Sequence, residues 1–127
     1  MRKHYALGVA ALAATAVAGC GGSSNHNAGY GSFVAQLNSL CVQAAAAVKA
    51  ASGTSAQLSV AEIYNQRFQN LTPPAQLKSI YGQWNSVNTQ VLAAVRSNNI
   101  ALIKSLNAQS NTLASSLGAA QCVSKSS

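Results

Sequence analysis

The sequence predicts an all-α fold: a small four-helix antiparallel bundle, its second helix short, closed by one disulfide. Three observations carry that prediction. Apolar residues recur at three- and four-residue steps in four successive segments, and no stretch alternates with period two. Turn signals separate those segments at Ser52-Gly53-Thr54-Ser55, at Thr72-Pro73-Pro74 and at Ser97-Asn98-Asn99. The three cysteines divide into one at the end of an apolar leader, Cys20, and a pair further on, Cys41 and Cys122.

The first helix is expected from Ser32, a residue suited to capping, with Phe33, Leu37, Leu40, Cys41, Ala44, Ala45 and Val48 forming its apolar stripe. The second has its start signal at Ser59-Val60-Ala61-Glu62. That spacing is the capping box, in which hydroxyl and carboxylate each take up a free backbone N–H, and it gives a reason for the single acid of the chain. Val60, Ile63, Tyr64, Phe68 and Leu71 form its buried stripe. Pro73 suits a first helical position, so a third helix is expected from Pro73 to Arg96, burying Leu77, Ile80, Tyr81, Trp84, Val87, Val91 and Val95, with Gly82 as a weak point. The fourth carries Ile100, Ile103, Leu106, Leu113 and Leu117, and Gly118 is placed to terminate it in the left-handed conformation. Tight turns favour antiparallel neighbours.

Ahead of these helices, Arg2 and Lys3 precede an uncharged, alanine-rich run from Ala6 to Ala18, the layout of a secretory signal. The run is short of the roughly 20 apolar residues of a membrane span. Its end, Val17-Ala18-Gly19-Cys20, resembles the bacterial lipobox. The resemblance implies cleavage after Gly19, a thioether-linked diacylglycerol on Cys20, and a further acyl chain such as palmitate on the new amino terminus. Two or more chains give stable anchoring where one is reversible. The expected organisation is a signal peptide over 1–19, the lipidated Cys20 and a Gly/Ser/Asn-rich flexible tether over 20–31, a helical domain over 32–122 and a tail over 123–127. The bilayer is then a partner, and the protein faces outward from the cytoplasmic membrane. Ordinary signal cleavage, leaving a free secreted protein, is the alternative.

Beyond the signal, Lys49, Arg67, Lys78, Arg96, Lys104 and Lys125 stand against Glu62 alone, a balance of +5. The charges are scattered, without the clustering that nucleic acid requires, so nucleic acid is not an expected partner. Counting also removes most chemistry. One carboxylate does not make an acid–base pair, a Ser-His-Asp triad lacks its aspartate, and no His/Cys/Asp/Glu cluster can ligate a metal. No cofactor, no catalytic residue and no enzyme activity are expected.

Cys41 and Cys122 are most simply a disulfide in an exported protein, joining the first helix to the segment after the last. Two unpaired thiols, with Cys41 a small core residue, are the other reading. Their wide separation argues against a catalytic dithiol.

The larger side chains concentrate at Tyr64 and Phe68 on the second helix and Tyr81 and Trp84 on the third, near Arg67 and Lys78. They read either as an apolar pocket or partner patch with a cationic rim, or as the bulky members of the core with their polar tips at the surface. Two functions follow: a non-enzymatic interaction or structural module of the cell envelope, with an envelope protein as partner, or a carrier of a small apolar ligand at the aromatic helices.

Cys41, then Leu71-Thr72-Pro73-Pro74 with Leu77 and Tyr81, then Leu117-Gly118 and Cys122, form a pattern over roughly residues 33–122. The pattern resembles a family of small actinobacterial lipoproteins and secreted proteins. That resemblance implies a helical, disulfide-closed envelope domain and brings no activity with it.

Overall fold

Burial of one stripe per helix accounts for the architecture of the computed structural model, which describes residues 28–124. The expected signal peptide, Cys20 and Lys125 to Ser127 lie outside the described residues. Four helices follow in order: α1 Ala28–Ala50, α2 Thr54–Gln69, α3 Lys78–Arg96 and α4 Ile100–Leu117. Short 3-10 turns, Ala75–Leu77 and Ala120–Cys122, precede α3 and follow α4. No strand occurs among the described residues. The all-α class and the four-helix count agree with the expectation.

The helix starts differ from it in three places. α1 begins at Ala28, so Ser32 is inside the helix rather than its cap, and residues 28–31 of the expected tether are helical. Tyr30 packs against the core one turn before Phe33, which extends the buried stripe. That packing outweighs the helix cost of Gly29 and Gly31, about 1 kcal/mol each.

α2 begins at Thr54 after Gly53, whose φ of 91° no other residue adopts easily, and no side chain caps it. Ser59 and Glu62 are therefore interior and form no capping box; the Glu62 carboxylate instead accepts from the Arg96 guanidinium on α3. With 16 residues, α2 is hardly shorter than α4 with 18. Ile63, expected in the buried stripe, is 50% exposed. Its neighbour Tyr64 and Phe68 set the inward direction, and Ile63 stands about 100° round the helix from Tyr64.

Pro73 does not open α3. Pro74 is extended, with φ −67° and ψ 161°, and the chain passes through Ala75–Leu77 before α3 starts at Lys78. A proline disfavours helical geometry in the residue before it, and here Pro74 does so to Pro73. The α4 boundaries match the sequence. Asn99 Oδ1 accepts from the Leu102 N–H at 3.1 Å, and Gly118 adopts φ 79°. Ile100, however, is 58% exposed, because it lies in the cap turn beyond the packed part of the helix.

α3 and α4 form one hairpin and α1 and α2 the other. The principal core gathers Phe33, Leu37 and Cys41 of α1, Phe68 of α2, Leu77, Tyr81 and Trp84 before and in α3, and Ala114, Leu117 and Ala119 at the end of α4. A smaller core, Val87, Ala94 and Leu106, lies within the α3–α4 hairpin. Beside it, Ser110 Oγ donates to Asn88 Oδ1 at 2.9 Å.

The end of the chain closes on α1 through the Ala120–Cys122 turn. Cys41 and Cys122 are disulfide-bonded across 81 positions, with Cα atoms 5.2 Å apart, and the Gln121 N–H donates to Asn38 Oδ1 at 2.9 Å. The chain-entropy model gives a loop of this length about 4.5 kcal/mol.

Candidate functional site

Three of the four aromatic residues singled out from the sequence meet in the principal core. Trp84 and Tyr81 are each 3% exposed and Phe68 is 9% exposed. Tyr81 and Trp84 are three positions apart, on one face of α3, and their rings stack at 5.7 Å, while Phe68 meets Trp84 edge to face at 5.1 Å. α1 supplies a member the sequence did not point to: Phe33 meets Tyr81 edge to face at 4.9 Å. The signal for it was its place on the α1 stripe, but nothing local ties α1 to α3.

The polar tips are inside rather than at the surface. The Tyr81 hydroxyl donates to the Phe68 carbonyl, and burial pushes the phenol up to about 12, with the Asn85 side chain opposing that shift. Trp84 Nε1 is buried without a partner among the described residues. Tyr64 stays half-buried at the margin, its ring covered by the Arg67 guanidinium at 4.7 Å. Lys78 is exposed. Phe68, Tyr81 and Trp84 are packed against each other, and none of these residues lines the α3–α4 or the α2–α3 concavity.

Those two concavities lie elsewhere and are shallow. One runs between α3 and α4 over Val87 and Leu113, bordered by Gln83, Ser86, Gln109 and Thr112. The other runs between α2 and α3 and is polar, with Glu62, Asn65, Gln69, Thr89 and Arg96 along it. In it, Thr89 Oγ1 accepts from Asn65 Nδ2 at 3.2 Å and Gln69 Nε2 at 3.4 Å, and donates to the Asn85 carbonyl at 3.0 Å. Antiparallel pairing fixes this order: Phe68 opposite Trp84, then Asn65 opposite Thr89, then Glu62 opposite Arg96.

The sequence reading did not identify this groove, because its members are polar residues scattered over two helices. Their spacing of three and four positions on α2, at Glu62, Asn65, Gln66 and Gln69, is the signal that places them on one face. Carboxamides, a hydroxyl and an exposed ion pair can form hydrogen bonds to a partner surface. They supply no nucleophile with a base beside it. Among the described residues, no group of three or more His, Cys, Asp or Glu side chains is arranged to hold a metal ion.

Cys20, the expected lipidation site, lies outside the described residues, whereas Cys41 and Cys122 are joined as expected. No protein-family model, no curated protein and no solved structure matches this chain.

Proposed function

We propose that the protein is a non-enzymatic cell-envelope module: a lipoprotein anchored through Cys20 that displays a disulfide-closed helical bundle to a protein partner. The observation that carries this reading is Val17-Ala18-Gly19-Cys20 placed directly ahead of that bundle. A disulfide fits an oxidising compartment, which is where a lipobox sends a chain. Close packing of Phe68, Tyr81 and Trp84 favours the module over a carrier of a small apolar ligand, since a carrier needs a concave apolar space. The polar α2–α3 groove offers a hydrogen-bonding surface for such a partner.

The test is intact mass and fractionation of the protein expressed in a bacterial host that processes lipoproteins. Acylated mass on a chain beginning at Cys20, membrane retention, and release into the medium on Cys20→Ser support the reading. A soluble, unacylated mature chain overturns the anchor. Photo-crosslinkers at Gln66 and Thr89 then test the module: a discrete envelope adduct supports it. A reproducible apolar metabolite in the native mass spectrum replaces it with a carrier.

A further inference from the structure

We infer that the outward face of α1 rests on the phospholipid surface, so that the bundle lies on its side beside its own anchor. The inference rests on the lipid-anchored reading above and adds which surface the membrane contacts.

α1 is the one described helix long and apolar enough to span a bilayer: 22 residues, Gly29–Ala50, with mean hydropathy 1.2. Its large apolar side chains other than Val42 are buried or half-buried in the bundle, and what remains for the outward face is Val42 with several alanines. Phe33, Leu37 and Cys41 point inward, while Ala35, Val42, Ala45 and Ala46 are exposed. At 100° per residue, Ala35, Val42 and Ala46 fall within about 40° of one another. Val42 is the large apolar residue of this face, and Gln43 and Gln36 beside it are uncharged.

Charge does not oppose the contact. α1 carries no acid, and its one charged residue is Lys49 in the last turn. The only carboxylate side chain in the sequence, Glu62, is on α2 and is paired with Arg96. An anionic headgroup layer therefore meets no repulsion along α1 and a cation at its far end.

Chain length then keeps α1 beside the bilayer. Only residues 21–27 separate Cys20 from the start of α1, and seven residues span at most about 25 Å. α1 is itself about 35 Å long at 1.5 Å per residue, so its first turn is held close to the surface and a lean brings Val42 and Lys49 down. A face with one valine and a few alanines binds vesicles weakly alone. The anchor makes the contact intramolecular, where effective concentrations of the order of millimolar populate a weak contact.

The experiment uses the mature, acylated, isotope-labelled chain in nanodiscs of phosphatidylcholine and phosphatidylglycerol doped with a nitroxide headgroup lipid. Amides of Ala35, Val42 and Ala46 are expected to broaden several-fold more than those of Ser79 and Gln83 on α3 or Ser105 and Ala108 on α4. Val42→Glu, at an exposed site, should leave the circular dichroism unchanged and abolish the difference. Broadening confined to residues 28–31, equal broadening on all four helices, or an unchanged pattern in Val42→Glu overturns the inference. The mass of the same sample separates the two claims: an acylated chain without the α1 pattern sinks this inference alone, and a chain without acyl mass sinks the anchor with it.

Discussion

The Tyr81 hydroxyl donates to the Phe68 carbonyl at 2.5 Å, from the first turn of α3 to the last turn of α2. Phe68 is one residue from the end of α2, so its carbonyl has no partner in the next helical turn. Only the Leu71 N–H, at 3.2 Å, shares it. The phenol thus acts as a long-range cap that fixes how the Thr72-Pro73-Pro74 segment joins two helices. Tyr81→Phe keeps the ring and loses the bond, and should destabilise the domain by about 1–2 kcal/mol. In thermal unfolding of a domain this size that is about 4–8 °C per kcal/mol.

The same hydroxyl makes a prediction in alkali. Its phenol is held up at about 12 by burial, above an ordinary value of 10.0, so the neutral form is favoured in the folded state. Stability from this group is complete below pH 10 and is lost as pH rises toward 12, by about 2–3 kcal/mol at 1.36 kcal/mol per unit. Urea unfolding of wild type and Tyr81→Phe should therefore converge above pH 10 and cross by about pH 12. Parallel curves would remove the phenol from the argument.

In acid the expectation is the reverse. Acid unfolding comes mostly from protonating paired carboxylates, and Glu62 is the one acidic side chain of the sequence. Its pair with Arg96 is exposed, at 38% and 52%, and such pairs contribute at most about 1 kcal/mol. The oxidised domain should keep its far-ultraviolet circular dichroism at pH 2. A cooperative loss between pH 5 and pH 3 would show that another group governs acid stability.

Reduction should matter far more than pH. Breaking Cys41–Cys122 removes up to about 4.5 kcal/mol by the chain-entropy model. That is a large share of the 5–15 kcal/mol typical of a domain. Hydrogen exchange after reduction should show α1 losing protection before α3 and α4, whose hairpin keeps its own core. Simultaneous loss across all four helices would mean that the bundle unfolds as one unit.

Two glycines on helices should respond oppositely to alanine. Gly118 has φ 79° with only Val34 Cγ1 near a would-be Cβ, at 3.9 Å, so Gly118→Ala should cost about 1–2 kcal/mol from backbone conformation. Gly82 lies inside α3 with open space around it, and Gly82→Ala should stabilise by about 0.5–1 kcal/mol. Denaturant midpoints measure both. A neutral Gly118→Ala would contradict the left-handed termination of α4.

The sequence made legible those features whose causes are local or periodic. The stripes through Phe33, Leu37 and Cys41, or Tyr81 and Trp84, needed only helical spacing, and Asn99 and Gly118 marked α4 by their own chemistry. Where a partner far along the chain decides, local reading failed. Ser59 and Glu62 have capping-box spacing, but Arg96, 34 positions away, holds the carboxylate, and α2 starts five residues earlier without any side-chain cap. Tyr30, not a residue adjacent to Ser32, decides that α1 begins at Ala28. The α2–α3 groove escaped because polar residues at helical spacing look like ordinary solvated surface until Thr89 is seen opposite Asn65 and Gln69.

The Cys41–Cys122 bond also sets how the protein bears load. Tension that enters ahead of Cys41 and leaves beyond Cys122 passes through the sulfur bridge, and the 81-position ring between them carries none of it. Pulled that way, the oxidised protein lengthens, among the described residues, only by unravelling α1 ahead of Cys41 and by freeing Val123 and Ser124 from their contacts. Tension along that path leaves α2, α3 and their groove in their folded shape.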